Sequence, residues 1–408
     1  MALRDRRAEP WVAAAFGVVL FLGCCLAAPG GLLDHAPYGD VHLYAHYARR
    51  MFDGQWPYRD FFDEYPPLAQ PLFLVAKLLP GAFAPAFKWT MAVCGAAAVA
   101  VLVAAIASLG GSRMRLWTAA VAGGIAPVCV GKIFLNAYDL WSALLAAAAL
   151  LALVRGRDAL GFALLALAVA AKVYPVAALP VALVWASRRG TLKRDAVWFA
   201  GVLVAVHLPF LAIGPGGLRF SYWVQIKRGL QVESLGASLL LAAHRAGVYT
   251  ATLHDQAPGS KNVLGPFARD VAALSSVAAI VAVLAVAWLY LRGYGTLTLG
   301  FAASLVAFLA FDKVFSPQYV DWLVPVAPLA GPPGAALGLV VMGLTQALFD
   351  HYSALYDAGW GVWLLLARNL FVVALFAVLA GRMLRTRTAS TATSTRLRAS
   401  TAQSIAPR

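Results

Sequence analysis

Runs of roughly 20 mainly apolar residues recur along this chain from Trp11 to Arg382, separated by short polar breaks. That is the length a helix needs to cross the hydrocarbon core of a bilayer, about 30 Å thick. Of the 408 residues, 62% are hydrophobic and 12% charged, about half the charge of a soluble globular domain. No soluble core could hide so much apolar surface. The chain therefore reads as an all-α polytopic membrane protein.

Twelve spans are expected, over residues 11–29, 84–109, 114–131, 138–154, 158–171, 173–187, 195–213, 270–291, 295–311, 319–331, 334–348 and 362–382. Pro175, Pro180, Pro209, Pro325 and Pro328 are expected to kink or unwind their helices, which is tolerated where protein or a wet cavity covers the freed backbone. The first run follows Arg4, Arg6 and Arg7 and ends near Ala27 and Ala28, as a signal peptide would. With the rest of the chain membranous, it reads as an uncleaved helix. Cys24, Cys25, Cys94 and Cys129 lie in apolar runs without zinc-ligand spacing and read as small buried hydrophobes.

An even number of spans puts both termini on one side. That side carries 18 Lys/Arg and 4 Asp/Glu, leaving 15 and 14 for everything else. The positive-inside rule makes the first face cytoplasmic, so the formal charge of +15 is a topology signal and nucleic acid is not an expected partner. Two outer connections are long, 30–83 and 214–269, within a transmembrane domain covering 1–384. The basic Thr/Ser/Ala-rich tail, 385–408, is expected to be disordered. There is no internal sequence repeat.

In the first outer loop, Val41, Tyr44, Ala45, Ala48, Met51 and Phe52 recur at three- and four-residue steps, with His42, His46, Arg49, Arg50 and Asp53 between them. This pattern predicts an amphipathic helix suited to the membrane interface, ended by Gly54. Asp40 stands at its N-cap position, where capping is the role that position alone favours; catalysis can coexist with it. Asp60, Asp63 and Glu64 precede the rigid Pro66-Pro67 pair and read, by themselves, as a solvated acidic turn. His42 and His46 are one turn apart, a zinc-binding spacing, but lack the accompanying glutamate pattern. A polar interfacial face suits them better; no cofactor is expected, and dependence on a divalent metal is left open by the sequence. There is no Walker loop, dinucleotide fingerprint or Asp-x-Asp pair, so a cytoplasmic nucleotide-sugar donor has no support.

Several of these segments together resemble the polyprenyl-phosphate-sugar-dependent GT-C glycosyltransferases, particularly glycosyltransferase family 87 and its DUF2029 relatives. The matching residues are Gly39-Asp40; Gly54 with Pro57-Tyr58-Arg59-Asp60-Phe61; Glu64-Tyr65-Pro66-Pro67; Lys172-Val173-Tyr174-Pro175; Arg228 to Ser238 with Gln231, Glu233 and Ser234; and Ser316-Pro317-Gln318-Tyr319 with Trp322. Each motif alone is weak, but their order and shared sidedness make the match specific from residue 11 to about 382.

The resemblance implies a GT-C fold and inverting transfer of a sugar, typically mannose, from a polyprenyl-phosphate donor to a lipid-linked or polysaccharide acceptor outside a bacterial plasma membrane. It implies Asp40 as general base. One base is chemically sufficient, because a lipid phosphate leaves as a stable anion and chiefly needs nearby positive charge, whereas a glycosidase needs a second carboxyl group. Lys172, Lys227, Arg228 and Lys313 are candidates for gripping the phosphate. Snorkelling toward headgroups is their ordinary alternative, although Lys172 and Lys313 each precede a break in an apolar stretch, where an ionisable group is a functional candidate. Substrate contacts are expected from Tyr44, Tyr58, Arg59, Asp60, Glu64, Tyr65, Glu233, Gln318 and Tyr319. For Glu233, proximity to the start of a helix at Ser234 is an equally good account. Some relatives carry histidine after the Ser-Pro motif, where this chain has Gln318, Tyr319 and Asp321. Asp139, Asp312, Asp321 and Asp350 sit near outer helix ends, where pairing with cations is the ordinary role. The rival from another class is a transporter or flippase, which would show repeated halves and charges deep in several helices; neither is evident, and the large asymmetric first loop suits catalysis at one face.

Overall fold

The computed structural model describes residues 2–256, 260–355 and 359–387, so most of the expected disordered tail, from 388 onward, lies outside the described residues. The order is α1 (Ala2–Ala27), α2 (Val41–Phe52), α3 (Gln70–Leu78), α4 (Phe83–Ser108), α5 (Arg113–Val130), α6 (Asp139–Val154), α7 (Asp158–Ala171) and α8 (Leu179–Arg188). Then follow α9 (Leu192–Ile213), α10 (Pro215–Ile226), α11 (Leu235–Arg245), the strands β1 (Thr252–Gln256) and β2 (Ser260–Leu264), α12 (Ala268–Leu291), α13 (Leu297–Phe311), α14 (Pro332–Asp350) and α15 (Gly359–Arg385). The protein is an all-α multi-pass membrane protein apart from one antiparallel hairpin, in which Thr252 faces Leu264 and Gln256 faces Ser260. Nothing in the sequence pattern of 214–269 announced that hairpin.

Every expected span falls on helical structure. Among the described residues seven helices are long and apolar enough to cross a membrane unaided, and α6, α7 and α13 are shorter apolar helices. The remaining two expected spans are broken where proline withdraws an N–H donor. Tyr174–Ala178 is a 3₁₀ turn ahead of α8, and Pro317–Leu323 and Ala327–Ala330 replace a continuous helix over 319–331. Pro209 does not interrupt its span, for α9 runs through it. The broken segment 317–330 is covered by protein, with Val320, Trp322, Leu323, Val324 and Leu329 all buried, as unpaired backbone within a membrane protein must be. Helix α9 presents almost its whole length outward, including Trp198, Val204 and Leu208, the surface lipid would cover.

Polar contacts sort the connections into the two sets that alternation predicts. Arg113 pairs with Glu9, Arg155 reaches Ser108, Arg188 reaches Tyr290 and Leu291, and Arg115 reaches Leu329. In the other set Lys132 pairs with Asp350, Lys88 donates to the carbonyls of Asp34 and Ala36, and Arg228 pairs with Glu64. Helix α2 starts at Val41 and ends before Gly54, whose φ is +81°. Its stripe of Val41, Tyr44, Tyr47 and Ala48 is buried, packed on α3 and α4. The expected interfacial face is thus covered by protein, while His42 and His46 remain exposed.

Candidate active site

Asp40 precedes α2 with φ −90° and ψ 7° and makes no capping hydrogen bond. Ser234 shows what a capping residue does here, accepting from the Ala237 N–H at 3.3 Å to start α11. The half-buried Asp40 carboxylate instead lines a cavity of about 260 Å³ and accepts a long 3.4 Å hydrogen bond from the Tyr65 hydroxyl. Capping therefore does not account for this aspartate.

The first loop is anchored beneath Asp40 by aromatic packing. Tyr44 is only 1% exposed and stacks on Phe73 with centroids 4.7 Å apart, while Tyr65 meets Tyr138 edge to face at 5.1 Å. Such pairs add about 0.5–1.5 kcal/mol each beyond their burial. Tyr44 is thus a buried support for the site, not a lining residue. Asn136 ties the loop's start to the segment after α5, donating to the Gly30 carbonyl at 3.0 Å and accepting from the Tyr38 N–H at 3.3 Å.

The acidic stretch divides. Asp60 matches the solvated turn expected of it: it pairs with Arg59 at 2.8 Å in the open and accepts the Trp56 N–H, contacts that hold its carboxyl down at about 2. Neither Arg59 nor Asp60 reaches the cavity. Asp63 and Glu64 are buried instead. Burial pushes the Asp63 carboxyl up, although the Tyr65 N–H donates to it at 2.9 Å. Burial likewise pushes Glu64 up, against the opposing pull of Arg228 at 3.3 Å. Between these groups Tyr58 is buried with φ +68°, its hydroxyl donating to the Tyr65 carbonyl. The first turn of α10 rests on this strained residue so closely that a Cβ at Gly217 would lie 1.9 Å from the Tyr58 carbonyl oxygen.

Of the four candidate phosphate ligands, Lys172 and Arg228 are the two held in the interior, although neither lines the cavity around Asp40. Lys172 ends α7, pairs with Asp139 at 2.6 Å and lies over the rings of Tyr138 and Tyr319 at 4.7 and 4.9 Å. Arg228 is brought in by Glu64 and lies within electrostatic reach of the Tyr319 hydroxyl. Lys227 is exposed over Trp223, and Lys313 donates to the Ile226 carbonyl at 2.8 Å; these two lie outside the cavity lining as well. Beside Lys313, burial pushes the Asp312 carboxyl up to about 6. Because this folded value exceeds the ordinary one, Asp312 favours the fold at low pH, and stability is lost as pH rises through about 6. Asp312→Asn is therefore expected to raise the melting temperature of solubilised protein near pH 7.5 and not near pH 4; an equal gain at both would contradict this.

Glu233 and Gln318 line the cavity along with Asp40. Glu233 Oε1 accepts from the Tyr352 hydroxyl at 2.8 Å, and Oε2 is buried without a partner among the described residues. Its backbone carbonyl is clamped by Arg368 at 2.8 Å and Asn369 at 3.2 Å, both on α15. Burial pushes the Glu233 carboxyl up, opposed by Tyr352 and the charges of Arg368 and Lys261. Gln231 donates to Ser316 at 3.0 Å, joining the second loop to the Ser-Pro motif. Lys261, from the hairpin, also lines the cavity.

Sequence reasoning missed Asn136, Lys261, Tyr352, Arg368 and Asn369. A signal existed for Arg368, an arginine inside an apolar run. None existed for Lys261, whose hairpin has no strong strand pattern. Among the described residues there is no cluster of His, Cys, Asp and Glu suited to a metal ion.

The family model of glycosyltransferase family 87 matches residues 62–317. No curated protein matches the chain. Among solved structures, ArnT from Cupriavidus metallidurans bound to undecaprenyl phosphate is similar at 14% identity, covering 92% of this chain and 77% of that one with a TM-score of 0.49. The apo form of the same enzyme aligns at 15% identity over 93% and 78% with a TM-score of 0.43.

Proposed function

Since this chain belongs to glycosyltransferase family 87, we propose that it transfers mannose, with inversion, from a polyprenyl-phosphate donor to a lipid-linked or polysaccharide acceptor. Asp40 takes the proton from an acceptor hydroxyl as its oxygen attacks the anomeric carbon. The bond from that carbon to the phosphate oxygen breaks, and the lipid phosphate departs with the electron pair. Lys172 and Arg228 stabilise its charge in a site of low dielectric. Glu233, through its unpartnered Oε2, and Gln318 meet acceptor hydroxyls.

The observation that carries this reading is the Asp40 carboxylate, released from capping and turned into a cavity that it shares with Glu233, Gln318 and Lys261. On charge, the termini and their basic connections face the cytoplasm, and the cavity opens on the outer side of a bacterial plasma membrane. The test is incubation of membranes containing the protein with labelled polyprenyl-phosphate mannose. Label is expected in a glycolipid or polysaccharide with the anomeric configuration inverted. Retained configuration, or no transfer to any envelope glycan, would defeat the proposal.

A further inference from the structure

The donor-side lysine is not waiting free. Lys172 Nζ donates to Asp139 Oδ1 at 2.6 Å, and the same oxygen accepts the Trp322 indole N–H at 2.7 Å. Asp139 is fully buried, its Oδ2 has no partner among the described residues, and the Lys172 side chain is 13% exposed. Aromatic faces of Tyr138, Tyr319 and Trp322 surround the ammonium group at 4.7, 4.9 and 5.7 Å. Within electrostatic reach of the pair lies Asp321, fully buried with neither oxygen partnered among the described residues. Of these two buried carboxylates Asp139 is the one in contact with Lys172, which makes it the anion that the lysine serves.

A buried ammonium can satisfy one close anion well, and a lipid phosphate would have to take it from another. Resting on the reading of a polyprenyl-phosphate donor, we propose that Asp139 is a positioning residue acting as a stand-in anion. It holds Lys172 caged while the site is empty, yields it to the donor phosphate, and reclaims it so that the spent lipid phosphate can leave.

This assigns Asp139 an effect opposite in sign to that of a structural prop. In Asp139→Asn the phosphate no longer competes for Lys172, so polyprenyl monophosphate in detergent micelles should bind about tenfold more tightly. That is the equivalent of losing one competing charge-assisted contact. With release rate-limiting, kcat falls while KM for donor also falls. Asp321→Asn, which removes no charge from the pair, should leave affinity unchanged.

Removing one partner of a buried pair can unfold a protein, so a second comparison avoids an unpaired cation. Asp139→Asn/Lys172→Gln should bind polyprenyl monophosphate no more tightly than Lys172→Gln alone, because without the lysine Asp139 has nothing to withhold from the phosphate. Equal or weaker binding on removal of Asp139 from the wild-type protein, or tighter binding on its removal from Lys172→Gln, would overturn the inference. Absence of binding by the wild-type protein would instead defeat the donor assignment on which it rests.

Discussion

Asp40→Asn is expected to lower kcat for sugar transfer by about 10²- to 10⁴-fold, the usual contribution of a positioned general base. The amide matches the carboxylate in size, so the cavity it shares with Glu233 and Gln318 keeps its shape. Since the side chain makes no capping hydrogen bond, helix α2 loses nothing that would unfold the loop. KM for donor should therefore stay near the wild-type value and the melting temperature should hold. Steady-state kinetics with labelled donor, run beside a thermal denaturation, separates the outcomes. Full activity in the variant would end the assignment; a lost fold would show that Asp40 has a structural task these contacts do not reveal.

The second large effect concerns the join between the two long loops. Arg228→Met leaves Glu64 buried without its cation, where the pair now meets at 3.3 Å with side chains 16% and 8% exposed. Breaking a buried pair from one side costs about 3–5 kcal/mol, whereas replacing both partners is often near neutral. Arg228→Met should thus lower the unfolding midpoint strongly, and Glu64→Gln added to it should recover most of that stability. Activity should recover far less, because Arg228 is also proposed to bear on the leaving phosphate. Full recovery of transfer in the double variant would reduce Arg228 to a structural residue; no recovery of stability would show that the Glu64 contact is not what the arginine supports.

Much of the architecture was readable because bilayer thickness dictates segment length. All twelve expected spans fall on helical structure, and the breaks at 174–178 and 317–330 follow from prolines that cannot donate to a helix. The amphipathic helix was readable from its spacing, but what would cover its apolar face was not, since a stripe such as Val41, Tyr44 and Ala48 looks the same whether protein or lipid meets it. In the site, the family motifs led to Asp40, Glu233, Lys172 and Arg228, all held in or beside the interior. Local pattern could not separate Asp60 from Asp63 and Glu64. Three carboxylates within five positions look alike in sequence, and only the fold decides that Asp60 stays in water while the other two are enclosed. Tyr352 and Lys261 come from distant segments whose local sequence has no chemistry-bearing pattern.

Arg228 and Glu64 are 164 positions apart, and Tyr352 lies 119 positions beyond its partner Glu233. A ribosome adding about 5–20 residues per second exposes Asp40 tens of seconds before the residues that complete its cavity exist. During biogenesis the first loop must wait at the membrane surface with Asp63, Glu64 and the strained Tyr58 still uncovered. Late insertion of α14 and α15 is then the step that completes the cavity, and a chain stalled before it would occupy the membrane with Asp40 in an unfinished site.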